Sequence, residues 1–446
     1  MSKAFPFLAL FLLIIVALLT FNLSQQNQNP QTSAKTDAEK IVIDLSAPTG
    51  PVTHKAAAIL HSLTPTGPRI NLVSPLKLQT IRDPVYNLPD YYSYFQSLGL
   101  TIEAELPDKY ATYKKSNHWP CDNGDCSAWK TYTKDQAKYV RDHNLSVRWD
   151  IWNEPDNQDF WRRSFDQYLQ MWKAAHKSLR SVDPNAVIVG PSMTWFSRDW
   201  LDKFLTFAKK ENVLPNILSW HENTDNDLHQ IENHVKIAQD LIAEKGVGPM
   251  ELEVNEAISA NYAFKPGAVV TYLAQAERTA LISFSRTCWL EGSEQSSSDC
   301  FNNSLDGLLN ANSQPRSVWH VYRYYGTLNG QMLSASKTAS FDAVSAINTP
   351  ENSVRTVIGN FTASPHSLTL VFKGISATQL HSPAGVAVIT RRIPNSSGNP
   401  LAKAILESKK YYSVTGDKIT VNLQLAAFEA VMIRLRPDTT ETADEE

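Results

Sequence analysis

Glu154 stands between an asparagine and a proline in RWDIWNEPDNQDFW, directly behind a run that reads as a buried strand, and Glu256 closes a second such run, MELEVNEA. Two carboxyl groups about 5 to 5.5 Å apart hydrolyse a glycosidic bond with retained configuration, one as a protonated acid and one as an ionised nucleophile. Their surroundings must push the two pKa values apart. Taken alone, Asn-Glu-Pro also reads as a helix start, with Pro155 tolerated in the first turn; the matching carboxylate of the second run favours chemistry. Glu251 and Glu253 lie inside that second run and read as a solvated or ion-paired strand flank. His229 and His234 read as helix surface, and His221 as either a structural or a site histidine.

Such a pair needs rigid elements to hold it. From Ala57 to Tyr325 eight short apolar runs alternate with segments of helical period. They are AAILHSL, LKLQTIR, LTIEAEL, SVRWDIW, AVIVGP, ILSWH, MELEVN and ALISFSRTCW. Alternation of this kind predicts successive βα units, and eight of them close a barrel whose reactive groups stand at the C-terminal ends of the strands. Glu154 and Glu256 follow the fourth and seventh runs. Between runs, Ser164 and Gln167 form the pattern of a capping box, and Gly246 sits where a left-handed C-cap ends a helix. After Tyr325 the texture changes to strict alternation, as in SLTLVF, KITVNLQL and AVMIRL, which predicts half-buried antiparallel strands. KIVIDLSAP, Lys40 to Pro48, precedes the barrel count and is assigned to the same module. The predicted fold is α/β: a (β/α)8 TIM barrel over residues 53–326 with an appended β-sandwich built from 40–52 and 327–437, then a disordered acidic tail at 438–446.

WNEP after the fourth run and NE after the seventh resemble the acid/base and nucleophile motifs of clan A glycoside hydrolases. Within that clan, ILHSL, IRD, SWHEN and the sandwich split between both chain ends most resemble family 39. That family includes β-xylosidases, α-L-iduronidases and bacterial membrane-anchored exopolysaccharide glycosidases. The likeness covers Lys40 to Pro437. It implies Glu154 as acid/base, Glu256 as nucleophile and Asn153 as the amide that binds the sugar 2-hydroxyl. His61, Arg82, His221 and Trp289 would line the same subsite, Arg82 also balancing the nucleophile's charge. No cofactor and no metal are implied. Two departures stand out: Ala257 follows the nucleophile where an aromatic residue is often found, and Glu222 adds a carboxylate expected to shift the pKa of its neighbours.

The net charge of −3 gives no reason to expect nucleic acid. At the N-terminus Lys3 precedes an apolar run from Ala4 to about Phe21, long enough to span a bilayer, which predicts a signal anchor over 1–23 and a flexible linker over 24–39. A cleaved signal with secretion is the alternative. Four cysteines in two local pairs predict disulfides Cys121–Cys126 and Cys288–Cys300; zinc would need ligand spacings that are absent here. Trp119, Trp129, Trp161, Trp195 and Trp200 are candidate sugar platforms. The resulting expectation is an outward-facing, membrane-tethered retaining glycosidase that cuts within an extracellular polysaccharide, associated with the machinery that makes or exports it. The rivals are an exo-acting β-xylosidase and a catalytically silent carbohydrate-binding subunit of an export assembly. A metal-dependent hydrolase lacks a His/Asp ligand cluster in the sequence.

Overall fold

The structure, a computed structural model, describes residues 38–106, 110–288, 300 and 303–439. The apolar run Ala4 to Phe21, nearly all of the linker, Trp289 and most of the acidic tail lie outside the described residues. Among those described, no helix is long and apolar enough to cross a membrane.

The first strand, β1 (Glu39–Pro51), belongs to a C-terminal sheet described below. The barrel is closed by β2 (Ala58–Leu60), β3 (Thr80–Pro84), β4 (Thr101–Glu105), β5 (Arg148–Asp150), β6 (Val187–Met193), β7 (Ile217–Glu222), β8 (Glu251–Ala257) and β9 (Leu281–Arg286). The strands run parallel, and β9 pairs back onto β2. Amphipathic helices return the chain between them. In the Phe165–Val182 helix, Tyr168, Leu169, Met171, Trp172, Ala175 and Leu179 are buried, the face that helical period predicts. Ser164 caps this helix by accepting the Gln167 N–H at 3.2 Å, a contact worth about 1 kcal/mol. The Gln167 side-chain Nε2 in turn donates to the Pro120 carbonyl and to Asp122, tying the helix start to the preceding segment. Gly246 ends the Ile231–Lys245 helix at φ 59°, the left-handed C-cap.

The remaining strands are β10 (Gln331–Ala335), β11 (Phe341–Asn348), β12 (Ser353–Asn360), β13 (His366–Lys373), β14 (Val386–Ile393), β15 (Ile405–Tyr412), β16 (Lys418–Leu425) and β17 (Ala430–Arg436). Where alternation reads as a two-sheet sandwich, hydrogen bonding runs through one sheet in the order β15-β14-β17-β12-β11-β10-β1-β13-β16. Strands from both halves of that order, such as β13 with Leu370 and β14 with Val388, feed one apolar cluster, so the sheet folds over a single core. β1 lies parallel to β13 and antiparallel to β10. The first described strand therefore belongs to the C-terminal sheet. Both predicted disulfides are present, and no described cysteine is free.

Candidate active site

Glu154 reaches the barrel mouth through a backbone that few non-glycine residues adopt. Its φ is +48°, in the left-handed region, directly before Pro155, which itself restricts the preceding residue. Such conformations cost on the order of 1 kcal/mol and persist where neighbours enforce them. Here the Glu154 N–H donates to the Ser192 carbonyl at 2.9 Å, and the Glu154 carbonyl accepts from the Asn157 N–H at 3.1 Å. The side chain is also held: Asn157 Nδ2 donates to Oε2 at 2.7 Å, and His221 Nδ1 lies 3.1 Å from Oε1.

Glu256 comes from β8, where strict alternation would put either Asn255 or Glu256 inside the barrel, but not both. The β7–β8 pairing shifts register between Trp220 and His221, and the β8–β9 pairing between Val254 and Ala257. An irregularity of this kind re-aims a side chain, and both residues turn to the interior. Asn255 Nδ2 donates to Glu103 and to Ser192, each at 2.9 Å. Glu256 Oε1 accepts from Arg82 Nη1 at 2.8 Å, while Oε2 accepts from Asn223 at 3.4 Å and lies 3.5 Å from His221 Nδ1. Glu154, His221 and Glu256 thus each bring an atom within 4.8 Å of the others.

Arg82 organises the layer beneath. Its guanidinium donates to Asp150, Asn153 and Glu256 and lies 3.3 Å from Glu103. Burial alone would lower its pKa, but the carboxylates of Asp150, Glu105, Glu256 and Glu103 raise it well above the ordinary value, so it is a permanent cation. Asn153 spends its Oδ1 on Arg82 at 2.8 Å, which fixes the orientation of its amide. Ser192 completes the layer by donating to Asp150 Oδ1 at 2.9 Å.

The two carboxyls differ in what surrounds them. Burial raises Glu154 from 4.5 to about 7, against the opposing bonds from Asn157 and the charge of Arg82. Glu256 has the Arg82 guanidinium bonded directly to it. Burial lowers the His221 pKa, so the ring between them is neutral near pH 7, and its buried Nε2 has no hydrogen-bond partner among the described residues.

Of the residues expected at the site, Asn153, Arg82 and His221 join the carboxyl pair in one network. His61 stands beside it, 3.6 Å from Asp306; Trp289 lies outside the described residues. Two expectations are corrected. Glu222 turns away from the pair: its carboxyl accepts from Trp220 Nε1 at 2.6 Å and bonds His234 Nδ1 at 2.9 Å, and burial raises it to about 7. His234 is therefore a half-buried partner of β7 rather than helix surface. Glu253, read as a solvated or ion-paired flank, is ion-paired, 3.6 Å from Arg148, but fully buried and beside Glu103, while Glu251 is exposed. Burial, then the Glu253 carboxylate, raises the Glu103 pKa well above its ordinary value. Glu222, Asp227 and His234 also bring ligand atoms within 4.8 Å, though those of Glu222 and His234 already bond each other. Among the described tryptophans, Trp119, Trp129 and Trp161 are buried and only Trp195 is largely exposed, at 49%. Asp150, Ser192, Asn223 and Asn255 were not anticipated; the one signal was a polar residue inside an apolar strand run, as in RWDIW.

Comparison with known proteins adds the following. The model of the family "Glycosyl hydrolases family 39" matches residues 85–400. A β-xylosidase of Geobacillus stearothermophilus is 29% identical over 82 residues, covering 18% of this chain and 16% of that protein. The matched stretch is thus about a sixth of that relative's length. Among solved structures, a protein from Neocallimastix frontalis superposes with a TM-score of 0.75 at 22% identity, covering 90% of this chain and all of the other. A monomeric β-xylosidase from Caulobacter crescentus CB15 does so with 0.66 at 15% identity, covering 90% of this chain and 100% of the other. At these identities the superpositions establish a shared fold.

Proposed function

Because this chain belongs to the glycosyl hydrolases of family 39, we propose that it hydrolyses a glycosidic bond with retention, Glu154 serving as acid/base and Glu256 as nucleophile. The observation that carries this reading is the closeness of two unequally treated carboxyls: one oxygen of each lies within 4.8 Å of the other, which supports a double displacement over inversion through an intervening water. In the first step Glu256 attacks the anomeric carbon while protonated Glu154 gives its proton to the leaving oxygen. A covalent glycosyl–enzyme results. In the second, the Glu154 carboxylate takes a proton from water, which attacks the same carbon and releases Glu256. Asn153, oriented by Arg82, addresses the sugar 2-hydroxyl, and the unpartnered Nε2 of His221 is available to a further hydroxyl.

The substrate we favour is an extracellular polysaccharide cut internally. The long segment after β4, clipped by Cys121–Cys126, supports this as a cleft wall, and the apolar run Ala4 to Phe21 supports a tethered, outward-facing enzyme near polysaccharide synthesis or export machinery. The β-xylosidase relative favours a second reading, release of terminal sugars.

Glu154→Gln and Glu256→Gln should each slow turnover by about 10²- to 10⁴-fold or more without unfolding the chain. With azide and an activated aryl glycoside, the Glu256 variant should give a glycosyl azide of inverted configuration and the Glu154 variant one of retained configuration. Identical stereochemistry would overturn the assignment. Product lengths from polysaccharide separate internal from terminal cleavage. N-terminal sequencing of the native protein decides the tether, which a mature start at or beyond Asn22 would remove.

A further inference from the structure

The segment between β4 and the Ser127–Asp142 helix holds a second concavity. A cavity of about 250 Å³ is lined by Tyr113, His118, Trp119, Asp125, Trp129 and Tyr132. Two stacked pairs build its walls: Tyr113 on Trp119, centroids 5.6 Å apart and planes at 29°, and Tyr132 on Trp129, 5.6 Å apart and at 21°. The indoles are buried and the tyrosines half-buried, so the inner ring of each pair stiffens the outer one. The buried Trp119 indole N–H has no hydrogen-bond partner among the described residues, an expensive omission for a donor out of water. His118 and Asp125 are exposed polar groups on the same lining.

The cavity is firmly based and is joined by ring packing to the chain segment that carries Glu154. Cys121, part of the lining, is bonded to Cys126. Asp122 accepts from Arg163 Nε at 2.7 Å and Nη2 at 2.9 Å, and from the backbone N–H of Trp119 at 2.9 Å. Trp152, two residues before Glu154, packs against Tyr113 at 5.8 Å, Trp129 at 5.7 Å and Trp119 at 6.4 Å.

Rigid aromatic rings beside the exposed polar groups of His118 and Asp125 suit a ligand with an apolar face and a polar edge, and a pyranose ring is such a ligand. The volume is on the scale of one monosaccharide. Resting on the glycosidase reading above, we propose that this cavity is a secondary sugar-binding site, holding one residue of the polysaccharide away from the scissile bond. Through Trp152 it is joined to the segment that carries Glu154, so a polymer caught here is presented to the carboxyl pair at raised effective concentration.

Two variants of the full chain test this. Ala128 is exposed and lines the cavity, so Ala128→Trp fills it without removing a packed ring; Tyr132→Ala removes one wall. The probes are aryl monoglycosides and β-linked xylo-, gluco- and manno-oligosaccharides of two to six units. In both variants kcat/KM on the longest cleaved oligosaccharide, relative to kcat/KM on the aryl monoglycoside, should fall about tenfold, the loss appearing in KM. An unchanged ratio in both overturns the proposal. Calorimetric titration of the same oligosaccharides into Glu154→Gln, with and without Ala128→Trp, reads binding apart from turnover, and equal affinities also overturn it. If the unmodified chain cleaves no glycoside, the catalytic reading falls, and the titration alone decides the cavity.

Discussion

Glu154 keeps its proton to about pH 7, where a freely solvated glutamate loses it near 4.5, chiefly because it is buried. A general acid works in its protonated form, so kcat/KM should fall as pH rises through about 7. The Asn157 hydrogen bond favours the ionised form. Asn157→Ala removes it, and the basic limb of the pH profile should move upward; a limb that stays or moves downward would contradict the acid role. Arg82 faces the opposite risk, since three buried groups depend on it. Arg82→Leu leaves Asp150 and Glu256 without their cation and should cost roughly 3 to 5 kcal/mol of stability, measured by denaturant unfolding. The two carboxylates were legible in the sequence because each follows an apolar strand run. Asp150 was not, because a polar residue inside such a run reads equally well as an ordinary flank until its partner, Arg82 of a distant run, is known.

The strand β7 shows how one element serves both the site and its own anchorage. His221 faces the carboxyl pair, Asn223 touches Glu256, and between them Glu222 turns outward to Trp220 and His234. Glu222 therefore pins the strand end whose neighbours handle the reacting groups. Its folded pKa, about 7, lies above the unfolded value near 4.5, so its contribution to stability is present below pH 4.5 and is lost as pH rises through about 7. Glutamine does not titrate. The stability gap between the wild type and Glu222→Gln should therefore narrow between pH 5 and pH 8, by at most roughly 3 kcal/mol; thermal unfolding across that range checks it, and a widening gap would reverse the sign. Periodicity made the barrel strands and the Phe165–Val182 helix readable. It could not show the register shifts at His221 and Ala257, because a shift belongs to the pairing of two strands and leaves no mark in either one.

The barrel and the C-terminal sheet share more than a boundary. The Pro266–Arg278 helix is buried from Pro266 to Ala276, because it packs in one apolar cluster with barrel residues and with Val344, Val357 and Met432 of the C-terminal sheet. At its start Gly267 lies so close to β12 that a Cβ would overlap the Asn360 carbonyl, and its N–H donates to the Phe428 carbonyl at 2.8 Å. At its end Arg278 forks onto the buried Asp342 of β11 at 2.7 and 2.9 Å. β1 adds a topological constraint, because the strand that precedes the barrel is paired between β10 and β13, which follow it. The sheet is complete only when the barrel has brought the two chain ends together. Unfolding should accordingly be one cooperative transition, with no temperature at which barrel and sheet melt separately. Gly267→Ala introduces the overlap at the seam; overpacking of this kind costs about 1 to 3 kcal/mol, and the expected result in calorimetry is a single peak displaced to lower temperature. Two resolved peaks, in either protein, would mean that the shared helix does not couple the cores.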